Sequence, residues 1–319
     1  MSAEKLFNDL FSASLVTMLI TLVASLGMTF SVHQILAPVR RAWLLLATIA
    51  VNAALAPLIA IGVCHALPLS TQAAIGVELV TIAAIGPAAL KACELAKRAD
   101  MPMAVSYTIV LGVLNIIVAP LWAKVMVKGA TVSVLHILGN LVLIVLLPLV
   151  VGAVLRARYI DHAPGWKAGL EKISNIALYI AIAAGLAVNW KTVVSTLGSW
   201  VIVASVVIIL VYIAVGWLAG MWHDTQAAIT ISMLSSLRFT PVGLFVIATV
   251  LKNQSAYLAP ALIFCLLDTF IPFGAGAEIG RWVSRSKPKP ATHTATRKPT
   301  EHIPAAAATV GAGGRGKVD

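Results

Sequence analysis

The chain has 319 residues, of which 60% are hydrophobic and only 11% are charged, and its mean hydropathy is +0.96. A soluble domain of this size needs far more charge on the surface that faces water, so the composition excludes ordinary soluble enzymes and binding modules. The formal net charge of +11 would suit nucleic-acid binding, but the basic residues lie between apolar blocks and in the C-terminal tail. We therefore expect a lipid bilayer, and no nucleic acid, as the partner.

The apolar residues are grouped in blocks of about 20, the length that a helix needs to cross a hydrocarbon core. We predict nine spans, at residues 13–33, 42–66, 72–96, 103–126, 133–155, 174–190, 199–221, 226–250 and 257–280. The expected fold class is therefore an all-α polytopic membrane protein. We expect an N-terminal segment (1–12), a transmembrane domain (13–283) and a disordered cytoplasmic tail (284–319), because the tail lacks the large apolar residues of a core.

The basic residues divide unequally between the two sides of the predicted membrane. With the N-terminus outside, the outward segments hold only Lys5, Lys124, Lys128, Lys191 and Lys252. The inward segments hold Arg40, Arg41, Lys97, Arg98, Arg156, Arg158, Lys167, Lys172 and the basic residues of the tail. The positive-inside rule then predicts a multi-pass protein of the cell (inner) membrane, with its N-terminus outside and its C-terminus in the cytoplasm.

A few charged residues fall inside the predicted spans, where each costs about 2.5–3.5 kcal/mol at the membrane centre. Glu94 lies near the basic end of the third span and is expected in a salt bridge at the surface. Glu78 is expected in an interfacial, partly solvated position toward the outer half of that span. Lys91, Arg238 and Asp268 have no such explanation and are therefore candidates for function.

Two prolines predict breaks close to these cations. Lys91 follows Gly86-Pro87, and Arg238 precedes Thr240-Pro241. Proline removes a helical N–H and clashes with the preceding turn, so we expect the second half of each helix to begin at the proline, with Gly86 and Thr240 as the caps. The free N–H groups and the positive dipole end of such helix starts favour an anion.

The breaks occupy the third and the eighth predicted spans, which correspond if spans 1–4 match spans 6–9. Paired interrupted helices in matching halves indicate the binding site of a transporter. The simpler alternative is that the prolines only kink the helices and that Lys91 pairs with Glu94, three residues later.

Four segments resemble the bile acid:sodium symporter family over about residues 13–283: LVASLGMTF (22–30), NAALAP (52–57), IGPAALKACELAKRADMPMAVS (85–106) and HDTQAAITISMLSSL (223–237). The resemblance implies two inverted repeats, a panel domain formed by spans 1, 5 and 6, and a core domain with two broken, crossing helices. It also implies alternating-access transport of an organic anion, with sodium as the coupling ion and no other cofactor.

The sequence departs from that family at the residues that bind sodium. The family's Ser-Asn pair falls on Ala92 and Cys93, and its glutamate falls on Ser232. Its Gln-Asn pair falls on Ser236 and Leu237. Only Asn52 keeps an amide at a position where the family has a sodium-binding glutamine.

These departures suggest that Lys91 and Arg238 supply the positive charge that bound sodium would otherwise supply, and that they attract a carboxylate substrate. The candidate substrate-binding residues are Lys91, Arg238, Gly86, Pro87, Thr240, Pro241, Asn52, Asn115 and Asp268. The alternative is a sodium-coupled symporter with relocated ligands, chiefly Asn52, Ser232, Ser235 and Ser236. We do not expect an enzyme, because the spans contain no nucleophile–base pair or metal-ligand spacing.

The predicted topology can be tested by cysteine labelling in a variant whose native cysteines have been replaced. A cysteine beside Lys191 should react with an impermeant thiol reagent added outside, whereas one beside Lys167 should be protected. The opposite labelling pattern would contradict the orientation.

Overall fold

The computed structural model describes residues 3–29, 42–126, 139, 142–197, 199–251 and 255–285. Within these ranges every regular element is helical. The predicted tail, apart from its first two residues, and the loop with Arg40 and Arg41 lie outside the described residues.

The first half of the chain forms a long first helix, followed by shorter helices and two π-helical segments. In chain order these are α1 (Ala3–Thr29), α2 (Ala42–Ile49), the π segment Ala50–Leu55, α3 (Ala56–Ala66), α4 (Thr71–Thr81), α5 (Ala88–Ala96), α6 (Met101–Met126) and the π segment Val142–Leu146.

The remaining helices are α7 (Leu147–Arg158), α8 (Ala163–Leu197), α9 (Val201–Met221), α10 (Thr225–Ser236), α11 (Thr240–Val250) and α12 (Ser255–Arg285).

Among the described residues, six helices are long and apolar enough to cross a membrane, or seven if α6 is counted as one bent span. The α6 helix bends by 54° between Met101–Asn115 and Ile117–Met126, and Pro120 lies in the second of these parts. The chain is thus an all-helical, multi-pass membrane protein, and nine spans remain a prediction.

The first π segment places Asn52 on a widened turn just before a proline. Pro57 cannot donate to the carbonyl of Ala53, and the side chain of Trp122 donates to that carbonyl instead, at 2.7 Å. The wider turn is therefore stabilised by a donor from α6, and it holds the side chain of Asn52 in the protein interior.

The predicted breaks are confirmed in both helices: α4 ends at Thr81 before α5 begins at Ala88, and α10 ends at Ser236 before α11 begins at Thr240. The predicted caps were wrong by one residue, because Pro87 and Phe239 occupy the N-cap positions, and neither cap has a side-chain hydrogen bond. The reason is that Gly86 and Phe239 pair with the opposite break through their backbones.

The breaks separate two apolar clusters of buried side chains. One cluster includes α4 and α11, with Val80 and Val246, and the other includes α5 and α10, with Ala92 and Met233. The division falls between residues 83 and 84 in the first broken helix and after residue 237 in the second. The polar groups of the breaks therefore lie where neither cluster continues.

Close glycine contacts bring α1 against α7. A Cβ added to Gly152 would lie 2.2 Å from the carbonyl oxygen of Ala24, and one added to Gly27 would lie 2.2 Å from that of Leu149. The two helices can approach this closely only because neither glycine has a side chain.

We predict that Gly152→Ala destabilises the purified protein by about 1–3 kcal/mol, because the new methyl group overlaps a backbone carbonyl. The control is Gly169→Ala in α8, where an added Cβ meets nothing within 4 Å. The measurement is the fraction that stays monodisperse in size-exclusion chromatography after heating in detergent. Equal melting of the two variants would contradict the close packing of α1 on α7.

Candidate functional site

The two helix breaks contact each other through their backbones. The N–H of Gly86 donates to Leu237 O at 3.3 Å, and the N–H of Phe239 donates to Ala83 O at 3.2 Å. A Cβ on Gly86 would lie 3.1 Å from Arg238 O and 3.3 Å from Phe239 Cα, so this approach favours glycine. Buried backbone groups that the helices leave unpaired are thus satisfied across the breaks.

Asn115 on α6 holds the first break in place. Its Oδ1 accepts from the N–H of Ala84 at 2.7 Å, and its Nδ2 donates to the carbonyl of the same residue at 2.7 Å. The structure therefore brings this predicted residue to the site. Both ends of its amide are engaged by the protein, so its geometry is that of a support for the break.

Arg238 lies in the second break and is only 3% exposed. Its guanidinium makes four hydrogen bonds: Nε and Nη2 donate to Thr81 O at 3.1 and 2.7 Å, Nη1 donates to Asn52 Oδ1 at 3.0 Å, and Nη2 donates to Asn52 O at 3.0 Å. Its Cζ lies 5.4 Å from the centroid of the Tyr212 ring. The positive charge is therefore held by three neutral oxygens and an aromatic face.

Asn52 connects this guanidinium to the second broken helix. Its Nδ2 donates to Ser235 Oγ at 2.9 Å and to Thr48 O at 2.9 Å. Because both bonds use the amide nitrogen, the oxygen of the amide is oriented toward Arg238. One side chain thus fixes the position of the cation relative to α10.

Asp268 on α12 is 2% exposed and faces the same break. Its Oδ2 and Oδ1 lie 3.1 and 3.4 Å from the backbone N–H of Arg238. Asp268 therefore contacts Arg238 through the main chain. The guanidinium hydrogen bonds that the structure records go to Asn52 and Thr81.

The serines proposed as sodium ligands are bound to protein groups. Ser232 Oγ donates to Ile213 O at 2.8 Å, and Ser236 Oγ donates to Met233 O at 2.9 Å. Ser235 is the one that contacts Asn52. The structure thus brings two of the four residues of the alternative sodium site into direct contact.

Lys91 has an environment unlike that of Arg238. Its side chain is 66% exposed, and its Nζ lies 2.7 Å from Glu94 Oε2. This is the pairing of the simpler alternative, and the structure does not bring Lys91 to Arg238. Hydropathy placed Lys91 within an apolar block but did not indicate which face of the helix it occupies.

The first turns of α5 and α11 are accessible. Pro87, Thr240 and Pro241 are half-buried, and Ala88 is exposed. Ala88 and Lys91 are three residues apart and share the exposed face of α5. Of the four predicted helix-start residues, Gly86 is buried and the other three are half-buried, and the exposed Lys91 lies one turn into α5.

Glu78 on α4 was expected in a partly solvated position, and that prediction was wrong. The residue is 3% exposed, because α12 and α11 pack closely on its helix at Gly76 and Leu79. Its Oε1 lies 3.5 Å from Nδ1 of His65. No motif in the sequence includes His65, although its place before the loop to α4 puts it near that helix.

We predict that Asn115→Leu lowers the stability of the purified protein by about 1–3 kcal/mol for each group of Ala84 that it leaves unpaired. The control is Thr108→Val on the same helix, because the buried Thr108 hydroxyl donates only to a carbonyl of its own helix. Amide hydrogen exchange over residues 82–88 should become faster in Asn115→Leu and stay unchanged in the control. Unchanged exchange in both variants would contradict the support role.

Comparison with known proteins identifies the family. The model of the Sodium Bile acid symporter family matches residues 16–196, which include Asn52, the first break and Asn115. A comparison with curated proteins found no match. The match covers more than half of the 319 residues and includes three of the four segments that resemble the family, whereas the fourth (223–237) lies beyond it. The chain therefore belongs to the sodium bile acid symporter family, a family of membrane transporters.

Proposed function

We propose that the chain is a secondary active transporter of small organic anions that works by alternating access and uses Arg238 in place of a bound sodium ion. The observation that carries this proposal is the set of hydrogen bonds from the buried guanidinium to Thr81 and Asn52. The family supports transport of an organic anion, and the bonding supports a cation built into the chain.

The oxygens around Arg238 are of the type that a hard cation prefers. Two backbone carbonyls and one amide oxygen converge on the guanidinium, and oxygen ligands of this kind also bind sodium. The resemblance implies that Asn52 corresponds to a sodium-binding glutamine of the family, and Oδ1 and O of Asn52 both accept from Arg238. A guanidinium held there supplies a positive charge that does not dissociate.

The substrate carboxylate is proposed to bind at the accessible starts of α5 and α11. The N–H groups and the dipoles of both helix starts favour a negative charge. Lys91 lies on the exposed face of α5 and exchanges its Glu94 partner for the substrate. Arg238 acts on the anion through its field, because its recorded hydrogen bonds go to the protein.

Alternating access is proposed to move the broken helices relative to the predicted panel of spans 1, 5 and 6. The packing of α1 supports this division, since it contacts α7 through Gly27 and Gly152. It contacts α8 through Ser174 Oγ, which donates to Met18 O at 3.2 Å. A unit held by such close contacts is suited to be the stationary part.

A sodium-coupled symporter is the second candidate. The contact between Asn52 Nδ2 and Ser235 Oγ at 2.9 Å favours it, because two of its proposed ligands are already adjacent. In this candidate Ser232 and Ser236 turn from their carbonyl partners to the ion. The two candidates differ in whether transport depends on sodium.

The test is uptake of labelled cholate, pantoate and pyruvate into proteoliposomes, with sodium replaced by choline. Wild-type uptake of the transported anion should persist. The uptake rate of Arg238→Gln should be lower than that of wild type by about ten-fold or more. The reason is that removing one partner of a desolvated charge interaction costs about 2–5 kcal/mol. Lys91→Ala should weaken the apparent affinity several-fold at similar maximal rate.

The matched control is Arg281→Gln, which removes an exposed arginine paired with Glu278 and makes the same change of charge. It should transport as the wild type does. Strict sodium dependence of the wild type, or normal uptake by Arg238→Gln, would contradict the replacement of sodium by Arg238.

A further inference from the structure

Glu78 is a buried carboxyl that the proposed anion site does not use. It lies on α4 with 3% of its surface exposed, and its Oε1 is buried without a hydrogen-bond partner. A carboxylate in such a place is costly unless a proton or a nearby cation neutralises it. Ionisable residues inside transporters commonly mark the paths of coupling ions.

His65 connects this carboxyl to the surface. It lies at the end of α3, its side chain is 69% exposed, and its Nδ1 is 3.5 Å from Glu78 Oε1. The same Nδ1 lies 2.9 Å from Ile61 O. Because both neighbours are acceptors, Nδ1 carries the hydrogen, and Nε2 is the nitrogen that can take up a proton from water.

Few other titratable groups interact with Glu78. Its electrostatic partners are His65 and the buried thiol of Cys64, both on α3. The α11 helix, which also packs on α4, carries no titratable side chain. The groups on the other helices packed against α4 are Tyr107 and Lys124 on α6, Tyr212 on α9, and Tyr257, Cys265, Asp268, Glu278 and Arg281 on α12.

One turn of α4 connects Glu78 to the proposed site. Thr81 Oγ1 donates to the carbonyl of Glu78 at 2.7 Å, and Thr81 O accepts two hydrogen bonds from Arg238. A Cβ on Gly243 of α11 would lie 2.4 Å from Leu79 O, so the same turn is clamped by the second broken helix. A change of charge at Glu78 therefore acts on the turn of α4 whose Thr81 carbonyl binds Arg238.

We propose that Glu78 is the binding site of a coupling proton, which it receives through His65. This inference rests on the proposed function. It names a proton as the coupling ion that drives transport, a role that the fixed charge of Arg238 does not fill. His65 Nε2 takes a proton from the water, Nδ1 passes its proton to Glu78 Oε1, and the ring is left neutral as its Nε2–H tautomer. Tautomer exchange through water then restores the Nδ1–H form. The net change is one proton moved from water to the carboxylate. The predicted topology places this entrance outside the cell.

The substrate-independent test is the infrared difference spectrum of the purified protein between high and low pH. Wild type should show the C=O band of a protonated carboxyl that grows as the pH is lowered, because Glu78 takes up a proton on Oε1. Glu78→Gln should lack this band. Glu171→Gln, which removes an exposed carboxylate paired with Lys167, should retain it.

The transport test compares two measurements on the same proteoliposomes, with labelled cholate, pantoate and pyruvate. Glu78→Gln should keep the exchange of internal for external anion and lose the acceleration by an inside-alkaline pH gradient. His65→Gln should keep exchange and slow the gradient-driven uptake several-fold. Glu78→Asp, which keeps the carboxyl, should recover the gradient response.

The inference is overturned if Glu78→Gln keeps the infrared band or the gradient response, or if wild type exchanges anion without responding to the gradient. A wild type that exchanges none of the three anions counts against the proposed transport function. In that case the infrared band decides whether Glu78 binds a proton, so the two failures are distinguishable.

Discussion

The buried positive charge of Arg238 is the constraint on which the centre of the protein depends. A guanidinium removed from water is stable only if polar groups replace its hydration. Here the end of α4 and the widened turn at Asn52 provide those groups, and Asp268 holds the backbone of the same residue. The broken helix α4 ends in a carbonyl group that needs a hydrogen-bond donor, and the buried guanidinium needs acceptors. The hydrogen bonds from Arg238 to Thr81 O satisfy both groups.

The local features of this site could be predicted from the sequence, and its long-range partners could not. Proline acts on its own helix, so Pro87 and Pro241 indicated both breaks. The bonds of Arg238 to Asn52 and Thr81 span 186 and 157 residues, and no local pattern encodes such separations. Hydropathy averages over a whole span, which is why it did not reveal that Lys91 is exposed and Glu78 is buried.

A cation that belongs to the chain has a mechanical consequence for a transporter. A bound sodium ion leaves on one side of the membrane and thereby drives the cycle, whereas an arginine that belongs to the chain cannot dissociate. In the proposed account the driving force must come from the substrate gradient or from another ion. The buried carboxyl of Glu78, the proposed proton site, lies one turn before Thr81, whose carbonyl accepts from Arg238.

The most direct measurement of the central claim is equilibrium binding of radioactive sodium to the purified protein, since it needs no knowledge of the substrate. If Arg238 occupies the place of the ion, wild type should show no saturable sodium binding at constant ionic strength, with or without candidate anions. Saturable binding of sodium to wild type, lost when Ser235 or Asn52 is replaced by alanine, would contradict the account.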